Sequence, residues 1–136
     1  MSFLIDTDLL SMLERKNVPP KLVSWIRDNE PEIFLSVVSF AELQFGLNQA
    51  RATHKGSLAA WLAETRQKLG PATEDLTEAV LVRWKELLAD LKARNRTMTC
   101  EDSLIAATAL FHGHTVATHN ARHFEPAGVA IEDPLG

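Results

Sequence analysis

Short apolar runs alternate along this chain with longer stretches in which apolar residues recur every three or four positions. SFLI, residues 2–5, is the first such run and reads as a buried strand that delivers Asp6. TDLLSMLER follows with Leu9, Leu10 and Leu13 at helical spacing, and NVPP ends that helix. Proline is tolerated in a first helical turn, so the next helix is expected to open at Pro19 or Pro20 and run through LVSWIRDN. IFLSVV, residues 33–38, is β-branched and aromatic enough for a second strand, although so short a run does not exclude a buried helix. SFAELQFGLNQAR is expected to start a helix at Ser39, with Phe40, Leu43 and Leu47 as its apolar stripe. Further helices are predicted over residues 54–69, 76–94 and from Thr99 to Gly113, and short strands at TVAT, residues 115–118, and VAI, residues 129–131.

Strands separated by helices define an α/β chain with a mainly parallel sheet and helices on both faces. One domain over residues 1–136 is expected, because that length buries a core without staples and no linker or repeat divides it. In such folds ligands sit outside the carboxyl ends of the strands. Asp6, Glu42, Asp102 and the THN stretch, residues 118–120, are all predicted to lie at that edge.

Composition narrows the partners. With 46% hydrophobic and 24% charged residues the chain is an ordinary globular one, and it has no run of about 18 apolar residues to span a bilayer. MSFLIDTD meets an acid too early for a secretory leader, and the lone Cys100 excludes an internal disulfide, so a cytoplasmic setting is expected. The net charge of -4 argues against wrapping long nucleic acid through bulk charge, but it leaves room for a small site that cuts a phosphodiester with bound cations. Arg83, Lys85, Lys92, Arg94 and Arg96 read first as a solvated helix face. Arg94, Arg96 and Arg122 are also in a position to meet phosphates.

Each acid has a local explanation. SFAE would place Glu42, and TCED would place Asp102, at the third position of a capped helix, and Asp6 would cap the helix that starts beside it. Their company is harder to explain locally. Three carboxylates within about 4 to 6 Å repel pairwise by roughly 3 to 4 kcal/mol at an effective dielectric near ~20, more than caps worth about 1 kcal/mol offset. Either one acid holds a proton or a cation sits among them, and all-oxygen ligands favour Mg²⁺, with Mn²⁺ as a substitute, over zinc. His119 and His123 invite a metal reading of their own. His112 and His114 flank Gly113 and are expected to be exposed, as is His54. Trp25, Trp61 and Trp84 read as core or interface anchors. Cys100, followed by two acids, is a poor nucleophile.

MSFLIDTDLLSML, SVVSFAELQFGL, EDSLIAATALFHG and TVATHNARHFE, in this order and spacing, resemble the PIN-domain ribonucleases, specifically the VapC-type toxins of bacterial toxin-antitoxin pairs. The resemblance covers almost the whole chain and implies a PIN-like α/β/α sandwich with four or five short strands. It implies a Mg²⁺-dependent endoribonuclease that cuts structured RNA, such as transfer or ribosomal RNA, to 3′-hydroxyl and 5′-phosphate ends. It further implies a cognate antitoxin whose C-terminal segment covers the cleft, and a homodimer that can enter a larger toxin-antitoxin assembly. Asp6, Glu42 and Asp102 match the family's first three acids and are the expected metal ligands and catalytic residues. Asn120 matches the Asn expected to position the phosphate, a carboxylate or water, and Thr7 the residue that hydrogen-bonds within the site. Where the family usually places a fourth acid, before an aromatic, this chain has His123 before Phe124, which weakens the case for a second ion. Three roles are open to His123: a ligand for Mn²⁺, a hydrogen bond to water or phosphate, or packing at the rim beside Arg122. The rival readings are a weak or inactive PIN-fold protein that binds antitoxin only, and a Mg²⁺-dependent DNA nuclease or phosphatase.

Overall fold

The computed structural model describes residues 1–136. The first strand, β1 (Phe3–Ile5), alternates as a two-sided buried strand must: Phe3 and Ile5 face one core and Leu4 the other. α1 (Thr7–Ser11) follows and continues as a short 3-10 turn over Met12–Glu14. α2 (Pro20–Asn29) opens on the proline whose missing N–H costs nothing at that position. β2 (Ile33–Ser36), α3 (Val37–Gln49), α4 (Ala52–Leu69), β3 (Thr73–Glu74) and α5 (Glu78–Ala93) come next. α6 (Cys100–His112), β4 (Thr115–Ala117) and β5 (Ile131–Glu132) complete the chain.

The five strands pair in the order β3-β2-β1-β4-β5, and every pairing is parallel. Parallel neighbours require crossovers, and here the crossovers are helices that cover both faces. One core gathers Leu4, Val116 and Phe124 with Leu87 and Leu91 of α5 and Ile105 of α6. Ala106, Ala107 and Ala109 are fully buried there, and their small side chains let α6 lie close to the sheet. The opposite core joins Phe3, Ile5 and Leu35 to Leu9, Leu22, Phe40 and Leu62. The α/β/α sandwich with a parallel sheet is thus the expected one, and no helix is long and apolar enough to cross a membrane.

Two boundaries and the burial of one histidine depart from expectation. IFLSVV splits after Ser36, whose hydroxyl accepts from the N–H of Val38 and caps α3, so the helix starts at Val37 rather than at Ser39. Glu42 therefore stands in the second turn and is no capping-box residue. The reason lies in the pairing of Ser36 with Glu74 of β3, a two-residue strand too short to read from its sequence, which fixes where β2 ends. The last strand lies at Ile131–Glu132 instead of over residues 129–131, where Val129 packs into the core. His114 is also not exposed but 92% buried, being 8% accessible, under the ring of Phe34.

The tryptophans behave as anchors: Trp25 packs edge-on to Phe3 and donates to Glu132, while Trp84 donates to the Ser103 hydroxyl. Asp90 and the Pro126 carbonyl hold Arg94, which removes it from the free basic set. Ser36→Ala is predicted to lower the unfolding free energy by about 1 kcal/mol without changing the denaturant slope. Chemical denaturation giving an unchanged midpoint would show that Ser36 is not the cap.

Candidate active site

The sheet ladder itself places the first acid. The N–H of Asp6 donates to the carbonyl of Ala117 at 3.0 Å and that of Thr118 to Glu132 at 3.0 Å, so pairing continues one residue beyond β1 and β4. Asp6 caps α1 as expected: its Oδ1 accepts from the N–H of Leu9 at 2.8 Å. Its Oδ2 accepts from the Thr118 hydroxyl at 2.6 Å, and that hydroxyl in turn accepts from the N–H of Asn120 at 2.9 Å. Thr118 thus joins the strand end of the THN stretch to the acid 112 residues earlier.

Glu42 is held differently. Thr7 donates its single hydroxyl proton to Glu42 Oε1 at 2.7 Å, which obliges the Ser39 hydroxyl, 2.8 Å away, to be the donor to Thr7. The serine expected to cap α3 instead fixes the threonine that fixes the glutamate. Asp102 keeps its predicted place, with Thr99 accepting its N–H at 3.1 Å at the start of α6.

All three acids are harder to ionise than in water. Burial, chiefly, pushes Asp6 from 3.8 up to about 6, against the lowering effect of the Thr118 and Leu9 hydrogen bonds. Burial also raises Glu42 and Asp102, and neighbouring carboxylates add to it in each case. Those neighbours include Asp8 and Glu101, which the sequence reading did not select. Asp8 raises all three, and its Oδ2 accepts from the Asn120 amide at 3.2 Å. The signal available in the sequence was its two-residue spacing from Asp6 in the first turn of α1, which carries both acids toward the same strand edge.

No lysine or arginine forms an ion pair with any of these five carboxylates. The nearest basic group is His123, whose Nδ1 stands 3.6 Å from Asp102 Oδ2. Arg122 is exposed and joins His123, Asp102 and Thr97–Thr99 around an open cleft of about 400 Å³. His119 turns away and pairs with Asp133 at 3.1 Å. A separate apolar groove of about 380 Å³ between α2 and α4, lined by Val23, Ile26 and Trp61, contains none of the site residues.

Carboxylates gathered at the carboxyl ends of parallel strands, between two helical layers, define an α/β domain whose site lies at the strand ends. Comparison with known proteins gives the same class. The PIN domain profile matches residues 3–129, and the chain belongs to the PIN-domain family. Within it, the chain groups with the VapC-like toxins of type II toxin-antitoxin pairs. It is 28% identical to "VapC ribonuclease Y4jK" of Sinorhizobium fredii, over 96% of this chain and 95% of that protein. It is 31% identical to "Plasmid stability protein StbB" of Pseudomonas syringae pv. tomato, over 96% of each. The crystal structure of FitAcB from Neisseria gonorrhoeae superposes with a TM-score of 0.88 at 26% identity, covering 98% of both chains.

The raised acid groups have a thermodynamic consequence. Between pH 6 and 3.8 folded Asp6 takes up a proton that the unfolded chain does not yet hold. Stability of the metal-free chain therefore rises as pH falls through that window, by roughly 3 kcal/mol from Asp6 alone. Asp6→Asn, whose amide oxygen can still cap Leu9, is expected to melt higher than the parent at pH 7.5 in chelator and to lose most of that advantage near pH 4. Equal or lower melting of the variant at pH 7.5 would contradict the burial penalty.

Proposed function

We propose that this chain is a metal-dependent endoribonuclease toxin that hydrolyses RNA phosphodiester bonds and is restrained by a cognate antitoxin. The observation that carries the proposal is the convergence of Asp6, Glu42 and Asp102 at one strand edge, joined by Asp8 and without a lysine or arginine to neutralise them. Membership of the PIN family and the ribonuclease name of a full-length relative support RNA as substrate. Structured cytoplasmic RNA, transfer or ribosomal, is the substrate class we propose.

The donor chemistry fits a hard cation. Every acid at the edge offers oxygen, and no three side chains surround one point closely enough to enclose an ion. Mg²⁺ takes one or two carboxylates directly and keeps several waters, and Mn²⁺ has similar ligand preferences. Asp6, Glu42 and Asp102 would hold it. When bound, the cation supplies positive charge against the phosphate and a more acidic water for in-line attack.

The chain's own residues do the positioning. Thr118 and Leu9 keep the Asp6 carboxylate fixed through both oxygens, so it cannot rotate out of the edge. Thr7 orients Glu42 and leaves its second oxygen free of hydrogen bonds to the protein. Asn120 holds Asp8, which favours positioning of a carboxylate over direct contact with the phosphate. Arg122, exposed at the cleft, would meet the phosphate backbone.

His123 supports a second reading, a toxin-fold protein of reduced activity whose main role is binding antitoxin. Its imidazole stands where it can occupy Asp102 Oδ2, and in its protonated form it would compete with a cation for that oxygen. Purified, antitoxin-free chain is expected to cut RNA in Mg²⁺ or Mn²⁺, and Asp102→Asn to lose at least about 100-fold in rate while keeping its circular dichroism. No cleavage by the parent, with normal antitoxin binding, would favour the second reading, and preferential cleavage of DNA would overturn the choice of substrate. His123→Asp is expected to raise Mn²⁺ affinity in titration calorimetry. An unchanged affinity would mean that position 123 does not act on the ion.

A further inference from the structure

α3 carries an apolar stripe out of the core and onto the surface beside the carboxylate edge. Val38, in the first turn, is buried against the sheet, Ala41 is exposed one turn on, and Phe45 ends the stripe with 66% of its surface exposed. These positions are three or four apart, so they share a helix face with Glu42, which lies three residues before Phe45. Together with Glu101 of α6 they line an open cleft of about 360 Å³. Glu42 thus belongs both to the acid-bearing edge and to this cleft.

Nothing within the chain explains an exposed ring at that place. Phe45 has no aromatic or cationic partner. The other exposed phenylalanine, Phe111, packs edge-on against His112 at the far end of the strands. An occupant has to suit a cleft that is apolar in its middle and acidic at its rim, and a second copy of this chain suits it poorly. Phe45 is the only large apolar residue exposed on α3, whereas stable self-association joins contiguous apolar patches. A two-fold interface centred on Phe45 would also set Glu42 and Glu101 against their own copies. A phosphate is disfavoured too, because α3 holds no lysine or arginine and both polar groups lining the cleft are carboxylates. A neutral, planar ring is the chemistry that remains. RNA presents one on either side of each internal phosphate, and aromatic side chains take up unpaired bases by stacking.

We propose, on the nuclease reading of the neighbouring edge, that Phe45 stacks on the base next to the scissile phosphate and so holds the strand against Asp6, Glu42 and Asp102. Val38 and Ala41 form the floor of that base pocket. Residues three apart on a helix stand about 5 to 6 Å apart at Cβ, so a base on Phe45 belongs to a nucleotide adjoining a phosphate at Glu42. Stacking does not read hydrogen-bond patterns, so the pocket accepts an unpaired base of any kind and rejects a paired one.

The test replaces Phe45 by Trp, Leu or Ala in the full chain, an exchange at an exposed position whose fold is checked by circular dichroism. Cleavage of RNA in Mg²⁺ gives kcat/KM. Binding of a single-stranded RNA that contains 2-aminopurine is followed by fluorescence in the Asp102→Asn background, where cleavage is silenced. Phe45→Leu and Phe45→Ala are expected to lower kcat/KM by roughly 5- to 150-fold, the loss of one stacked base, and Phe45→Trp to stay near the parent. Bound probe should be quenched with Phe45 or Phe45→Trp and not with Phe45→Leu. Parent-like cleavage and quenching in Phe45→Leu, or no quenching with Phe45 itself, would overturn the proposal. So would an equal loss in all three variants with a change in sedimentation, which would place this face between copies of the chain. If the parent cuts no RNA, the nuclease reading fails, while the quenching series still decides whether Phe45 stacks on bases.

Discussion

The buried carboxylate of Asp6 is the constraint on which the rest of this structure turns. It caps α1 through one oxygen and holds Thr118 through the other, so a single side chain joins the ends of the two central strands. The same position in the sheet interior withholds water from an anion, and its basicity rises accordingly. The chain thus keeps a destabilising charge in place with two hydrogen bonds and the ladder bond from its own N–H to Ala117. Glu42 and Asp102 are likewise harder to ionise than in water, chiefly through burial.

Those acids are organised in tiers. Thr118 orients Asp6, Thr7 orients Glu42, and Ser39 orients Thr7, each by donating a hydroxyl hydrogen bond. Asn120 links the β4 end to Asp8, so the stretch after β4 governs two acids of the segment after β1. This network explains why a cluster of like charges does not simply spread apart. It also assigns the THNARHF stretch a supporting part, in which Thr118 and Asn120 hold carboxylates, His119 turns to Asp133, and only His123 approaches an acid of the site.

Much of the fold was legible from local pattern. The short apolar run FLI, the proline at the start of α2, and the Thr99 and Gly113 ends of α6 each act within a few residues, and each appears where the sequence places it. The errors fall where a nonlocal partner chose between equivalent local options. Ser36 and Ser39 are both plausible caps, and pairing of β2 with β3 selected the first. His114 looked like a surface residue after a helix-ending glycine, but Phe34, Ser2 and Glu74, all distant in sequence, enclose it.

The sequence by itself determined most of the segments that become strands and helices and placed Asp6 and Asp102 at their ends, because apolar runs and helix capping are set by neighbours within one or two turns. β3, the start of α3 and the second-turn place of Glu42 were not among them. Only the tertiary structure decided which of those acids meet. The register that sets Ile5 beside Ala117 brings Asp6 to Thr118 across most of the chain, and the crossover through α3 brings Glu42 to Thr7. The same packing admitted Asp8 to the cluster and drew His112 and His114 onto Glu74. Electrostatic neighbours act through space over several ångströms, so their identity follows from strand order and register, which no local pattern contains.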